Sequence, residues 1–172
     1  MADNTQLQLE INAIIELFSI GRIKEALTDV ETLTIKYPKE SLLYNISGVC
    51  LKTIGELEMA VKSFKKAIVI KPNFTDAHYN LGLTFHELTQ MQAAIKSYLK
   101  ALTFQPNYVE VHNNLGIAQR ELGQIDDAIK SYEKALSIKP DYAEAHNNLG
   151  NALHDQGQLD EAIKHYHKVI VI

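Results

Sequence analysis

The hydrophobic pattern along this chain is helical and recurs at a fixed step of 34 residues. All the prolines follow this step, at Pro38, Pro72, Pro106 and Pro140. Glycines keep it at Gly48, Gly82, Gly116 and Gly150, and alanines at Ala26, Ala60, Ala94, Ala128 and Ala162. A period of this length is typical of arrays in which each unit buries its apolar face against its neighbours.

The pattern of apolar residues within each repeat predicts two helices, which we call A and B. Helix A carries the recurrent glycine, and helix B carries the alanine followed four residues later by Phe64, Tyr98, Tyr132 or Tyr166. A glycine inside a helix costs about 1 kcal/mol relative to alanine, so its recurrence indicates a close helix crossing. We expect the glycine to face the alanine and the aromatic ring to point toward the next repeat. The predicted fold class is all-α, a right-handed superhelical solenoid of antiparallel helix pairs whose A helices line a concave groove.

The same positions set the expected boundaries. We predict a disordered N-terminus at residues 1–6 and a solenoid at 7–172, with repeats at 7–40, 41–74, 75–108, 109–142 and 143–172. The first repeat has Ile14 in place of glycine, and the last is shorter than the others, so we expect a longer parent protein. Helix A should end at Gly55, Gly123 or Gly157. Thr89 takes this place in the third repeat, which predicts a turn built differently.

Composition narrows the class of protein. The net charge is -4 and basic residues do not cluster, which disfavours nucleic-acid binding. No apolar run reaches the roughly 18 to 20 residues of a membrane span, and the N-terminus lacks the plan of a signal peptide, so we expect a cytoplasmic protein without membrane association. The single cysteine, Cys50, excludes an internal disulfide and is predicted to be a buried apolar filler.

The glycine, alanine, aromatic and proline positions, with Leu81-Gly82 and Leu115-Gly116 in helix A, resemble the tetratricopeptide repeat (TPR) family. The resemblance covers residues 7–172. The repeats at 109–142 and 143–172 are similar to those of O-linked N-acetylglucosamine transferases and related bacterial TPR proteins. The resemblance to this family implies a scaffold that binds an extended segment of another protein in the concave groove.

Spacings of three and four along helix A select the residues that should face this groove. The candidate peptide-binding residues are Asn45, Tyr79, Asn80, His86, Asn113, Asn114, Ile117, Arg120, Asn147, Asn148, Asn151 and His154. A carboxamide offers a donor and an acceptor, so a row of asparagines can hold a peptide backbone. In the transferases that these repeats resemble, such a ladder grips polypeptides, and the match falls on Asn80, Asn114 and Asn148. The alternative is that these asparagines satisfy neighbouring backbone or bridge repeats.

Other chemistry is disfavoured. Arg120 is the one arginine predicted in the groove and is opposed by Glu87, Glu110 and Glu121, so a neutral or mildly basic segment fits better than an acidic tail. Histidines at the repeat positions 78, 112 and 146 should lie about 10 Å apart, too far for one metal, and are predicted to be packing residues. We expect no cofactor, no metal site and no catalytic constellation, hence no enzymatic activity within the chain.

Two alternatives to a binding scaffold stay open. The repeats can be the substrate-recruiting arm of a larger enzyme, either a glycosyltransferase or another transferase or oxygenase. They can also form a self-assembly module, in which a homo-oligomer forms through the apolar first repeat or through the open C-terminal end.

Overall fold

A computed structural model describes residues 2–171, with side chains described from 5 to 170. Over this range the secondary structure consists of ten helices without strands, as the hydrophobic pattern predicted. Their bounds are α1 Ala2–Ser19, α2 Ile23–Lys36, α3 Ser41–Thr53, α4 Leu57–Ile70, α5 Thr75–Glu87, α6 Met91–Phe104, α7 Val109–Glu121, α8 Ile125–Ile138, α9 Ala143–Asp155 and α10 Leu159–Val171. Residues 2–6, expected to be disordered, continue the first helix, and Met1 lies outside the described residues.

The chain divides into two compact units, Met1–Thr84 and Phe85–Ile172, referred to below as the N-terminal and C-terminal units. The N-terminal unit has a core contributed by α1, α2 and α3, formed by Leu7, Ile11, Ile14, Ala26, Val30, Leu33, Leu43 and Cys50. Ile14 and Val30 are buried at the positions where later repeats have glycine and an aromatic. Two branched side chains therefore replace the glycine and the ring in the first helix pair.

The C-terminal unit contains the pairs α7–α8 and α9–α10, and α8 also packs on α9. A core cluster within it consists of Ala128, Tyr132, Leu149, Ala152, Leu153 and Ala162. Small alanines at the helix contacts allow the backbones to approach, while one large ring per pair fills the remaining space. This packing gives each helix pair a fixed spacing.

The recurrent glycine is covered by the aromatic ring of its own repeat. A Cβ added to Gly48 would lie 2.5 Å from Cε1 of Phe64, and one added to Gly116 would lie 2.6 Å from Cε1 of Tyr132. The sequence-based expectation did not include this contact between the glycine and the ring of its own repeat. The expectation that the ring fills the space toward the next repeat agrees with the cluster of Tyr132 with Leu149 and Leu153. The ring crosses helix A at the one position that has no side chain.

Helix A ends in the same turn in the third, fourth and fifth repeats. Gly123 N–H donates to Arg120 O at 2.9 Å and Gln124 N–H to Gln119 O at 2.9 Å, the paired bonds of a Schellman motif with a left-handed residue. Thr89 N–H and Gln90 N–H make the same two bonds, at 2.9 and 2.8 Å. The expectation of a different turn is wrong, because Thr89 takes the left-handed conformation itself, with φ of 58°.

The repeat-position histidines tie helix A to the loop before it. Nε2 of His78, His112 and His146 lies 2.8 to 2.9 Å from the carbonyl oxygens of Pro72, Pro106 and Pro140, respectively. A carbonyl only accepts, so each imidazole carries its proton on Nε2. The Tyr44 hydroxyl donates to Pro38 O at 3.3 Å in the same way. These side chains are hydrogen-bond donors as well as packing residues.

The glycine crossing predicts that Gly116→Ala destabilises the protein although alanine is the better helix former. The added methyl group meets the buried Tyr132 ring, and overpacking of about 1–3 kcal/mol exceeds the gain in helix propensity of about 1 kcal/mol. In a Tyr132→Leu background the ring is absent, so the same substitution should cost little or stabilise. Urea denaturation of the four proteins measures this coupling. Equal effects of Gly116→Ala in both backgrounds would contradict the assignment of the clash.

The strained turn predicts that Thr89→Gly stabilises the protein. A left-handed residue with a Cβ costs about 1–2 kcal/mol, part of which glycine recovers. The matched control is Gly123→Thr, which places the same side chain in the same turn of another repeat and should destabilise by a similar amount. Both changes are measured as shifts in the urea midpoint. A loss of stability in Thr89→Gly would show that the Thr89 side chain contributes contacts that outweigh the strain.

Candidate functional site

The N-terminal unit contains one pair of the predicted groove asparagines in direct contact. Asn80 Nδ2 on α5 donates to Asn45 Oδ1 on α3 at 3.1 Å. Asn45 is buried, with 9% of its surface exposed, whereas Asn80 and Tyr79 are half-buried. Asn45 therefore holds the Asn80 carboxamide in place, and Asn80 is the more solvent-accessible side chain of the pair.

The C-terminal unit repeats this bridge and extends it. Asn148 Nδ2 on α9 donates to Asn113 Oδ1 on α7 at 3.0 Å, and Asn113 Nδ2 donates to Glu144 Oε1 at 2.9 Å. Asn113 is only 1% exposed, so it is a supporting residue beneath the surface. The bridge between repeats, one of the two roles that the sequence left open, is what the structure shows for this pair.

The other predicted residues occupy the surface of the same two helices. Asn114 and Ile117 on α7 are half-buried, and Asn147 and His154 on α9 are exposed. Asn151 is half-buried, and its Oδ1 accepts a hydrogen bond from the Tyr166 hydroxyl at 2.9 Å. Hydrogen bonds from Asn113 to Asn148 and Glu144 join the predicted residues of α7 to those of α9, with Asn113 buried between them. We refer to the surface of these two helices as the α7–α9 face.

Ion pairs hold the charged residues of this face. Arg120 Nε donates to Asp155 Oδ2 at 2.7 Å, which raises the pKa of Arg120 and lowers that of Asp155. His86 Nε2 lies 3.1 Å from Glu121 Oε1. The A helices of the C-terminal unit carry five carboxylates, at Glu87, Glu110, Glu121, Glu144 and Asp155, against one guanidinium. Since Arg120 is already paired, the face is acidic in net charge.

Tyr132, which the sequence patterns identified as a recurrent core aromatic, was not among the predicted site residues. Its side chain is fully buried, and its hydroxyl has no hydrogen-bond partner within the described part of the chain. The equivalent residue one repeat later, Tyr166, bonds Asn151, and the position equivalent to Asn151 is Ile117. The exchange of asparagine for isoleucine at this repeat position removes the acceptor that Tyr166 uses.

The histidine, cysteine and carboxylate side chains do not form a metal site within the described residues. Among the described residues, no group of three or more His, Cys, Asp and Glu side chains is arranged to hold a metal ion. Two imidazoles do meet, with Nδ1 of His146 2.9 Å from Nδ1 of His165, and this contact occupies both atoms. Cys50 is buried as predicted, and burial raises the pKa of its thiol to about 11. Over residues 2–171, the helices fall short of the length and apolarity that a membrane span requires.

Comparison with known families agrees with the repeat pattern. The family profile described as "TPR repeat" matches residues 53–89, 90–123 and 118–157, and the profile described as "Tetratricopeptide repeat" matches residues 143–172. Together the matches span residues 53–172, more than half of the chain. No curated protein sequence matches the chain significantly.

Solved structures of other proteins share the fold. The chain is similar to MamA in a crystal structure, with 28% identity, a TM-score of 0.85, and coverage of 90% of this chain and 91% of that chain. MamA 41-end from Desulfovibrio magneticus RS-1 has 22% identity, a TM-score of 0.87, and coverage of 95% and 92%. YrrB, described as a TPR protein with an unusual peptide-binding site, has 21% identity, a TM-score of 0.79, and coverage of 94% and 83%. The last two likenesses show the fold alone. The predicted solenoid class is confirmed, and the chain belongs to the tetratricopeptide repeat family.

Proposed function

We propose that this protein-interaction scaffold binds an extended segment of another protein on the α7–α9 face of its C-terminal unit, without catalysing a reaction. The observation that carries the proposal is the hydrogen-bonded chain from Asn148 through Asn113 to Glu144. Because Nδ2 of Asn148 is held by Asn113, its carboxamide has a fixed orientation. A fixed amide loses less side-chain entropy when it binds a ligand, so the site is preorganised.

The free acceptor of this amide suits a peptide backbone. With Nδ2 of Asn148 engaged, its Oδ1 can accept from a main-chain N–H of the bound segment. Packed helices lie about 8–10 Å apart, and an extended chain advances about 3.3 Å per residue. About three residues of an extended segment therefore span the distance from α7 to α9. Each repeat can then bind the backbone of the segment whatever its side chains are.

The charges of the face limit the kind of segment. Arg120 and Asp155 neutralise each other at 2.7 Å, so Arg120 is not free to hold a terminal carboxylate. The remaining carboxylates disfavour an acidic ligand. The peptide-binding site named for YrrB, a protein of the same fold, supports a peptide as the class of ligand.

The proposal predicts that Asn148→Ala weakens peptide binding. Ten-residue random peptides displayed on phage are selected on the full chain, and the affinities of the enriched peptides are then measured by biolayer interferometry. Loss of one backbone hydrogen bond, worth about 1 kcal/mol, should weaken each about fivefold. Circular dichroism checks that the fold is kept.

The matched control is Asn107→Ala, which removes an exposed carboxamide from the loop before α7. It should bind the selected peptides as the wild-type chain does. Failure to enrich any peptide, or equal affinities for the wild type and both variants, would count against binding on this face.

A further inference from the structure

The aromatic ring of each of the last two repeats passes over helix A and places its hydroxyl beside the residue that follows the glycine. In the last repeat, Cζ of Tyr166 lies 3.0 Å from a Cβ built on Gly150, and its hydroxyl donates to Oδ1 of Asn151. Asn151 is a residue of the α7–α9 face. The ring therefore connects the core to that face.

Tyr132 has the same geometry without the partner. Its Cζ lies 2.9 Å from a Cβ built on Gly116, but the next residue is Ile117, which packs against the cluster that contains Tyr132. Its hydroxyl is buried and unpaired among the described residues. In the second repeat the corresponding residues are Phe64 and Val49, an apolar pair that needs no partner. The Tyr132 hydroxyl is thus a donor without an acceptor among the described residues, at the repeat position where the Tyr166 hydroxyl bonds Asn151 of the α7–α9 face.

The phenol of Tyr132 is buried close to charged residues of α7 and α9. Burial raises the pKa of this phenol, and the charged groups that act on it are Arg120, Glu121, Asp155 and Glu144. All four belong to α7 and α9, the helices of the face. The phenol keeps its proton at neutral pH and is available as a donor.

We propose that Tyr132 donates a hydrogen bond to a main-chain carbonyl oxygen of the bound segment when the Ile117 side chain turns aside, and that this segment carries lysine or arginine side chains. The inference rests on the proposed function and specifies its ligand. Asn148 accepts from an N–H while Tyr132 donates to a C=O, and both groups of one extended residue point to the same edge of the segment. The carboxylates of α7 and α9 that Arg120 does not neutralise, Glu110, Glu121 and Glu144, attract the basic side chains.

The test of the hydroxyl is Tyr132→Phe, which removes the donor and keeps the ring over Gly116. Since an unpaired buried hydroxyl is destabilising, the urea midpoint should stay or rise, while affinity for the peptide should fall about fivefold. Tyr166→Phe is the matched control. It breaks the bond to Asn151, so its urea midpoint should fall while its peptide affinity stays closer to that of the wild type.

A second variant, Ile117→Asn, tests the same group without removing it. The new carboxamide copies Asn151 and gives Tyr132 an internal acceptor, so peptide affinity should fall, while the urea midpoint reports the new hydrogen bond against the lost packing of Ile117. A gain in affinity in this variant would contradict the role of Tyr132 as a donor to the segment.

The probes are three fluorescein-labelled peptides of about ten residues, alternating alanine with lysine, glutamine or glutamate. Fluorescence anisotropy with the full chain at about 50 mM NaCl should rank the affinities as lysine, then glutamine, then glutamate, and the gap should narrow at about 200 mM because salt screens the charges. The Tyr132→Phe comparison uses the lysine peptide.

The outcomes separate the two proposals. If the three peptides bind equally well, the basic character of the segment is overturned. If Tyr132→Phe lowers the urea midpoint and keeps the affinity, an internal water satisfies the hydroxyl and its role as a donor is overturned. Binding on the α7–α9 face stands in both cases. If none of the three peptides binds and the phage selection also fails, both proposals are overturned.

Discussion

The structure depends on one close contact, the crossing of an aromatic ring over a glycine in the helix packed against it. Phe64 crosses Gly48, Tyr132 crosses Gly116 and Tyr166 crosses Gly150, with no room for a Cβ. The glycine weakens its own helix, and burial of the ring more than offsets this, since full burial of a large apolar side chain contributes about 1.5–3 kcal/mol. Repetition of this contact gives the helix pairs a common geometry.

The same crossing connects the core to the surface. A ring long enough to cover helix A delivers its hydroxyl to the far side, where the polar residues of the α7–α9 face lie. Asn151 satisfies the hydroxyl in one repeat, Ile117 leaves it unpaired in another, and phenylalanine removes it in a third. The contact between ring and glycine is therefore kept, while the polar group that the ring brings to helix A changes from repeat to repeat through single substitutions.

Much of this could be predicted from the sequence, because a fixed period reports helix pairs directly. Helix A, helix B and the burial of Cys50 follow from spacing and residue type, whereas the bridge between asparagines was only one of the roles that the sequence left open. Spacing does not report distances across a helix pair, so the partner of Gly116 and the depth of Asn113 could not be derived. The prediction of a different turn at Thr89 failed because residue preference is statistical. The surrounding repeat imposes the left-handed conformation on Thr89. The proline carbonyl oxygens to which His78 and His146 donate lie six residues earlier in the sequence, in the loop before the helix, so helical spacing does not predict them.

The most direct test of the account is a crystal structure of the chain with the lysine-alternating peptide bound. We predict an extended peptide across α7 and α9, with the Tyr132 hydroxyl within about 2.5–3.0 Å of a main-chain carbonyl oxygen and Oδ1 of Asn148 accepting a main-chain N–H. A peptide bound elsewhere, or a Tyr132 hydroxyl bonded to an ordered water beneath an unmoved Ile117, would contradict the claim that the glycine crossing supplies a ligand-binding group.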